Sequence, residues 1–341
     1  MSPTETLVDG PYFEDLHVGQ RFAESPGLTL TEGLAAAHRA IVGGRLPLVL
    51  DGELSRRVLG DGHVLAAPNL VWDVAIGQST IATHTVVANL FYRGVVFRRA
   101  PCIGDTLRTV TEVAGLRQNS RRPGRPATGL AALQMSVTDQ CGRPVLDFWR
   151  CAMLPLRDAD RETGQADDLS AIGAELTAQD MARVTENWNL DGYRAMLPAK
   201  SRRVPVPGEL FRVVGGDVVS SAPELARLTL NVAKVHHDET NAASGRLVYG
   251  GHTIGIALHQ AVRALPGMVT VVGWLGCDHV GPVREGDTLT SAIEVERTDP
   301  LVSGSSASGG TLVYLRSRVS ARRRDVPPSE VLDWRFVALF A

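Results

Sequence analysis

Proton-handling side chains are concentrated in one short segment of the second half of the sequence, "LNVAKVHHDETNA", which begins at Leu230. Its surroundings are mostly apolar, yet it contains Asn231, His236 and His237. A histidine titrates near neutrality and can take and return a proton, whereas an asparagine can hold a water or hydroxyl but cannot act as a general base. A lone histidine more often has a structural role, so this segment predicts acid–base chemistry only together with its neighbours.

The next segment, "GRLVYGGHTIGIA", places Gly250 and Gly251 at the start of a predicted buried helix. The first N–H groups of a helix have no intrahelical partner and carry the positive end of the helix dipole, and glycine lets a ligand approach them closely. Such a helix start can bind an oxyanion, for example a thioester carbonyl that gains charge as an enolate forms. The alternative is that the two glycines form only a tight strand-to-helix turn.

The elements that must position these groups can be predicted from the residue pattern. A helix is predicted from about Gly251 to Leu265, because apolar residues recur there at three-to-four-residue spacing. Four strands are predicted after it, since the segments are rich in β-branched and aromatic residues and are separated by Gly, Pro and Asp. The strand segments are "VTVVGWLGCDHV", "DTLTSAIEVER", "GGTLVYLRSRVSARR" and "VLDWRFVALF". One long apolar helix with consecutive strands is an α+β unit.

This unit is present twice in the sequence. The segment "GDTLRTVTEV" at Gly104 recurs as "GDTLTSAIEV" at Gly286, and "VLDFWRCAML" at Val145 recurs as "VLDWRFVALF" at Val331, in the same order and at nearly equal offsets. The chain has 341 residues, about twice the usual domain size of roughly 100 to 200 residues. We therefore predict an N-terminal unit over residues 1–157, a linker over 158–204 and a C-terminal unit over 205–341.

Composition excludes several function classes. Hydrophobic residues make up 44% and charged residues 21% of the chain, which is typical of soluble globular proteins. The net charge of -2 predicts no general attraction to nucleic acid or to an anionic membrane. The four cysteines are scattered without a CxxC pair, so we expect a reduced, cytoplasmic protein with no metal site. No signal peptide, long apolar run, Walker loop or dinucleotide fingerprint is visible.

The two quoted segments together resemble the signature of the MaoC-like, or hydratase-2, enoyl-CoA hydratases. That signature reads G-D-x-N-P-x-H and is followed by a glycine at the start of a central helix. The resemblance implies a double hot-dog fold, in which a long helix is wrapped by an antiparallel sheet and the unit occurs twice. It also implies reversible addition of water to an α,β-unsaturated acyl-CoA, with no cofactor because coenzyme A is part of the substrate.

The resemblance assigns roles to individual residues. His236 falls on the catalytic histidine of the family, and Gly251 falls on the glycine whose N–H polarises the thioester carbonyl. Asn231 falls on the catalytic aspartate; this is a departure from the motif, as are Ala233 and Lys234 in place of Asn-Pro. With asparagine at this position, we expect His236 to transfer the proton alone while Asn231 orients the water or leaving hydroxyl.

Three further residues near the helix start are predicted to bind substrate: Gly250, His252 and Arg246. A dicarboxylic substrate would need a cation, and Arg246 and Arg93 are both open candidates for it. His279, near the end of a predicted strand, more often would have a structural role.

One branch of the family, the mesaconyl-CoA hydratases or β-methylmalyl-CoA dehydratases, is similar to nearly the whole chain. The matching segments occur in the same order and include "FEDLHVGQ", "TEG", "GLRQN", "VYGGH" and "VLDF". This implies a branched dicarboxylic enoyl-CoA as substrate. In the first half, the segment "IVGGRLPLV" puts Gly44 in place of the motif aspartate and Val49 in place of the histidine, so we expect the N-terminal unit to be non-catalytic.

Three alternative functions stay open. The chain could be a hydratase for another enoyl-CoA or a non-catalytic acyl-CoA-binding module. It could also be a hot-dog thioesterase, although that enzyme needs a carboxylate at the central helix and "GGHTIGIALHQ" contains none. We expect an acyl-CoA as the ligand, neither nucleic acid nor membrane as a partner, and a homodimer or higher homo-oligomer formed through sheet edges.

Overall fold

The computed structural model describes residues 3–60, 62–173, 175–240, 245–301, 309–324 and 326–341. Within these residues the strands form one antiparallel sheet. They are β1 Arg21–Phe22, β2 Leu28–Thr29, β3 Ala88–Phe97, β4 Thr106–Gln118, β5 Thr128–Thr138, β6 Pro144–Pro155, β7 Leu210–Arg212, β8 Asp217–Val218, β9 Met268–His279, β10 Thr288–Pro300, β11 Thr311–Arg323 and β12 Val326–Phe340.

The α-helices precede or connect these strands. They are α1 Glu32–Val42, α2 Pro47–Leu50, α3 Gly52–Leu59, α4 Pro68–Ser79, α5 Ala178–Ala182, α6 Leu190–Met196, α7 Ala222–Leu228 and α8 Gly250–Ala264. The helix predicted over about 251–265 is therefore α8, with each boundary one residue earlier. None of the helices in the described ranges is long and apolar enough to cross a membrane.

The sheet consists of two equivalent halves joined edge to edge. The strand order is β1-β4-β5-β6-β3-β9-β12-β11-β10-β7, which is the same from either end when β7–β12 are matched to β1–β6. The two halves meet where β3 pairs with β9, for example at Tyr92 and Cys277. This arrangement confirms the α+β class and the predicted double hot-dog fold.

Each half wraps its sheet around one buried helix, α4 in the first half and α8 in the second. The two helices make the same contact with their sheets. Gln78 Nε2 donates to the Leu107 carbonyl at 2.9 Å, and Gln260 Nε2 donates to the Leu289 carbonyl at 2.9 Å. Each side-chain amide donates a hydrogen bond to a buried strand carbonyl. The repeat therefore extends to polar contacts as well as to apolar packing.

The segment predicted as a linker, 158–204, contains α5 and α6 and packs against the sheet. Met181 of α5 and Tyr193 of α6 are fully buried. The Tyr193 hydroxyl donates to the Met268 carbonyl at the start of β9, at 2.9 Å. This segment therefore covers the side of the sheet that faces away from α4 and α8.

Short strands form the outer edges of the sheet. The strands β1 and β2 pair with β4, while β7 and β8 pair with β10, and each of these edge strands has only two or three residues. Short edge strands offer few unpaired backbone groups to another chain. The homo-oligomer stays a prediction.

Candidate active site

A cavity of about 300 Å³ lies at the N-terminus of α8, between the two halves of the molecule. It brings together the predicted residues Asn231, His236 and Gly250. Side chains of the first half complete its wall, from the C-terminal end of α4 and from strands β3 and β6. Besides Asn231 and His236, the polar residues that line the cavity are, from the first half, Thr80, Asn89, Tyr92 and Arg150 and, from the second half, Tyr249, Thr253 and His279.

His236 is held in the form that can accept a proton. Its Nδ1 lies 3.1 Å from the Leu247 carbonyl oxygen, which can only accept, so Nδ1 carries the hydrogen. Nε2 then has a lone pair that can accept a proton, and it has no hydrogen-bond partner among the described residues. Burial lowers the pKa of His236 to about 4, although its hydrogen bond to Leu247 acts in the opposite direction. The imidazole is therefore neutral at pH 7 and can act as a general base.

Asn231 can hold a water but cannot exchange a proton with it. Its Oδ1 accepts from the Ala233 N–H at 3.0 Å, which fixes the orientation of the side-chain amide. Its Nδ2 is buried and has no hydrogen-bond partner among the described residues. An amide N–H in this position can donate to the oxygen of a water or hydroxyl in the cavity.

The helix of the first half holds the Asn231–His236 segment in place. Gly77 of α4 lies so close to it that a Cβ at this position would be 1.6 Å from the Thr229 carbonyl oxygen. One turn further, the Val232 N–H donates to Thr80 Oγ1 at 2.9 Å. Leu230 turns the chain between these contacts with a φ of 62°, which L-amino acids rarely adopt. The Asn231–His236 segment of the second half is thus held in place by the first half.

The two glycines at the start of α8 face different neighbours. Gly250 lies on the cavity wall, and a Cβ there would be 2.5 Å from His279 Nε2. Gly251 is buried behind it, and a Cβ there would be 1.9 Å from Asp73 Oδ1. Both N–H groups belong to the first turn of α8 and have no partner within the helix. Because Gly250 lines the cavity, its N–H can donate to an oxyanion there. Gly251 is not among the lining residues, so its role as a donor stays a prediction.

His279 is a cavity residue that sequence reasoning treated as structural. It lies two residues after Cys277 in β9, so both side chains are on the same face of the sheet as Tyr92, which pairs with Cys277. Its Nε2 is buried without a hydrogen-bond partner among the described residues, and burial lowers its pKa to about 4. The available sequence signal was a histidine on the inward face of a core strand.

Two predicted substrate-binding residues do not line the cavity. His252 follows Gly250 by two residues, and at about 100° per residue its side chain points to another side of α8. It is completely buried. Arg246 lies outside the cavity, where its guanidinium contacts Glu285 and lies 3.7 Å from Glu239.

Arg93, the other candidate cation, faces away from the cavity as well. It is adjacent to Tyr92 in β3, and successive side chains of a strand point to opposite faces. Its Nη1 donates to the carbonyls of Ser170 and Ile172, at 3.1 and 3.2 Å. Arg93 therefore connects the sheet to the segment that follows the first unit.

The equivalent position in the first half is almost filled. The residual cavity there is about 20 Å³ and is lined by Val49, which stands in place of the motif histidine. His259 of α8, the counterpart of Gly77 in α4, occupies much of the space: a Cβ on Gly43 would be 2.6 Å from its Nδ1. A ligand of the size of an acyl chain does not fit into this volume.

The buried side chain of His252 makes the stability of the protein depend on pH. Burial lowers the pKa of His252 from 6.5 to about 4, and neither ring nitrogen has a partner among the described residues. The unfolded chain therefore binds a proton below pH 6.5 that the folded chain does not, so this residue destabilises the protein as pH falls toward 4. We expect His252→Leu to raise the free energy of unfolding, by about 1.4 kcal/mol more for each pH unit below 6.5.

Urea unfolding at pH 7.5 and pH 5 would measure this difference. Activity serves as the control and is expected to be kept, because His252 does not line the cavity. An equal gain at both pH values would contradict the pKa assignment.

Comparisons with known proteins fit this description. No family model matches the chain. The mesaconyl-CoA hydratase of Cereibacter sphaeroides is 29% identical to it over 303 residues, covering 85% of this chain and 86% of the relative. The structure of RV0216 of Mycobacterium tuberculosis, described as a double hotdog fold, is 51% identical with a TM-score of 0.89, covering 97% and 98% of the two chains.

A second solved structure has the same fold at lower identity. The putative MaoC domain protein dehydratase of Chloroflexus aurantiacus has a TM-score of 0.82 at 24% identity, and the match covers 99% of each chain. Both structures extend over both halves of this chain, so the likeness concerns the duplicated fold as a whole.

Proposed function

Because the chain belongs to the MaoC-like family of double hot-dog dehydratases, we propose that it adds water reversibly to a branched dicarboxylic enoyl-CoA thioester such as mesaconyl-CoA. The chain is a hydro-lyase of the enoyl-CoA hydratase type, as its hydratase relative implies. The observation that carries the proposal is the cavity in which His236, Asn231 and the start of α8 face one another.

The proposed reaction uses these groups in a fixed order. The N–H groups of Gly250 and Gly251 donate to the thioester carbonyl oxygen, which draws electrons from the double bond. His236 Nε2 takes a proton from a water held by Asn231, and the water oxygen bonds to the β-carbon. The same histidine then gives its proton to the α-carbon, which restores the carbonyl. Dehydration is the reverse sequence, and because one group transfers the proton, addition occurs on one face of the double bond.

His279 supports the proposed polarisation of the carbonyl. It stands beside Gly250, is neutral at pH 7 and has an unpartnered Nε2. A neutral imidazole N–H at this place can be a further donor to the thioester oxygen. The first half has Val49 and an almost filled cavity at the equivalent place, which supports a non-catalytic role for the unit at 1–157.

The coenzyme A portion would leave the cavity toward a basic groove. A groove of about 660 Å³ shares the rim residue Val87 with the cavity and is lined by Arg117, Arg122 and Arg125. These three arginines form no salt bridge among the described residues, so they can pair with the phosphates of coenzyme A.

We expect the double variant Arg122→Glu, Arg125→Glu to raise KM at least tenfold and to leave kcat within about twofold, since uniform binding is lost. Steady-state kinetics at low and moderate salt would test this, with the larger effect at low salt. Arg161→Glu, which does not line the groove, is the control. An unchanged KM would remove the groove from the proposed path.

The thioesterase alternative lacks support in the cavity. No aspartate or glutamate is among its described lining residues. The carboxylate nearest to the start of α8 belongs to Asp73, which lies beneath Gly251 with its Oδ2 2.8 Å from His38 Nε2. Burial raises the pKa of Asp73, and this residue is not positioned to attack a ligand in the cavity.

An absorbance assay tests the proposed function. Purified protein is mixed with mesaconyl-CoA and, separately, with crotonyl-CoA, while enoyl-thioester absorbance and free thiol are both followed. Loss of absorbance with mesaconyl-CoA and no free thiol is the expected result. Loss with crotonyl-CoA alone would change the proposed substrate, and release of thiol would favour a thioesterase.

A further inference from the structure

Arg150 places a buried positive charge on the cavity wall, and no carboxylate among the described residues pairs with it. The residue is 3% exposed and lines the cavity from strand β6. Its side-chain hydrogen bonds go from Nη2 to the Ser79 carbonyl at 3.3 Å and to Thr83 Oγ1 at 2.7 Å, and both acceptors are neutral. Its Nε is buried with no partner among the described residues. A buried charge in this state is costly unless something pairs with it.

A structural role explains only part of this arrangement. Ser79 is the last residue of α4, and a cation at a helix C-terminus interacts favourably with the last carbonyls. That contact involves Nη2 alone. Among the described residues Nε has no partner, and the helix C-terminus gives no reason for a cation that also reaches the cavity.

The second half of the chain shows that the fold does not need a cation here. Arg150 pairs with Tyr92 across β6 and β3, and the equivalent pair across β12 and β9 is Phe336 with Trp274. Phe336 is completely buried and stacks on Trp334 with the ring centroids 3.9 Å apart. The same register position is therefore apolar where the cavity is almost filled and positively charged where the cavity is open.

We propose that Arg150 binds the distal carboxylate of the acyl group and so makes the cavity selective for dicarboxylic acyl-CoA thioesters. The inference rests on the proposed function for the identity of the ligand as an acyl-CoA. A guanidinium matches a carboxylate in shape and can bind it through two parallel N–H···O bonds.

Two observations connect Arg150 to the reacting part of the site. No described aspartate or glutamate lines the cavity, so a carboxylate on the ligand would meet no like charge there. Arg150 and His236 line the same cavity of about 300 Å³, which places the two side chains near each other. A four-carbon dicarboxylic acyl group carries its carboxylate next to the carbon that receives water. It can therefore contact Arg150 while that carbon faces His236.

Binding of two saturated thioesters tests the inference without requiring turnover. Succinyl-CoA and butyryl-CoA share a four-carbon acyl chain and the whole of coenzyme A, and they differ in the terminal carboxylate. Calorimetry would give Kd for each with the wild type and with Arg150→Met. We expect the wild type to prefer succinyl-CoA and the variant to lose that preference by roughly 30-fold or more, with butyryl-CoA binding unchanged or tighter.

Two further variants complete the experiment. Arg93→Met removes a nearby arginine of the same sheet that faces away from the cavity, and it is expected to keep the wild-type preference. Arg150→Lys keeps the charge without the planar fork and is expected to be intermediate. Because an apolar side chain is tolerated at the counterpart Phe336, Arg150→Met should unfold at a temperature equal to or above that of the wild type. If Arg150→Met does not fold, Arg150→Lys provides the test instead.

The outcomes separate this inference from the proposed function. A wild type that binds butyryl-CoA as tightly as succinyl-CoA, or that binds neither, overturns the role of Arg150, even if crotonyl-CoA is hydrated. An equal loss for both ligands in Arg150→Met overturns it as well. A preference for succinyl-CoA that depends on Arg150, in a protein that hydrates no enoyl-CoA, supports the inference and rejects the proposed reaction.

Discussion

The His236→Gln variant is expected to lose a factor of about 10² to 10⁴ in kcat while it still binds the thioester, because glutamine cannot take and return the proton. The loss should be close to the full general acid–base contribution, since Asn231 stands in place of an aspartate and cannot act as a second base. Glutamine keeps a polar group near the Leu247 carbonyl that His236 Nδ1 contacts at 3.1 Å. Rapid mixing under single-turnover conditions would measure the chemical step directly.

Two comparison variants make this result specific. His17→Gln changes an exposed histidine and should leave kcat unchanged. Asn231→Ala removes the donor to the water but no proton carrier, and it should cost less than His236→Gln. Equal losses for Asn231→Ala and His236→Gln would indicate that the two side chains act as one unit, and full activity in His236→Gln would refute the assignment.

The Gly77→Ala variant is expected to lose both stability and activity, although the residue is not on the cavity wall. The new Cβ would lie 1.6 Å from the Thr229 carbonyl oxygen and 3.1 Å from the Asn231 nitrogen. Either α4 or the Asn231–His236 segment must move, and such overpacking typically costs about 1 to 3 kcal/mol. Denaturant unfolding and kcat/KM, measured on the same preparation, would check both effects.

Gly33→Ala is the matched control, because Gly33 is also helical but a Cβ there has open space, with Thr31 Oγ1 the nearest atom at 3.9 Å. It should be neutral or stabilise the protein by up to about 1 kcal/mol. A Gly77→Ala variant with wild-type stability and kinetics would contradict the close contact between the two halves.

Much of the fold could be predicted because it depends on local pattern and on the repeat. Helix α8 follows from the spacing of its apolar residues, and its four following strands follow from alternation and turn residues. The recurring segments at Gly104 and Gly286 imply two copies. The joining of β3 to β9 had no local signal, since any exposed strand edge could have formed that pair.

Some residues of the candidate site could be predicted from local sequence, and others could not. Asn231, His236 and Gly250 are close in sequence and could be identified together from their chemistry. Arg150 and Tyr92 come from the other half and reach the cavity only because β3 and β9 pair. Arg150 did leave a trace, a charged residue at the position where the second copy of the segment has Phe336. His252 was predicted to bind substrate because it is close to the helix start, but its position on α8 directs its side chain away from the cavity.

If the cavity adds water to an enoyl-CoA thioester, hydration of mesaconyl-CoA in heavy water will mark the product with deuterium. Mass spectrometry and NMR of the product should show an intact thioester with a hydroxyl on the β-carbon and one deuterium on the α-carbon. The same experiment with His236→Gln should show starting material only over the same time. Free acid with released coenzyme A, or unchanged mesaconyl-CoA and crotonyl-CoA with the wild type, would show that the protein is not an enoyl-CoA hydratase.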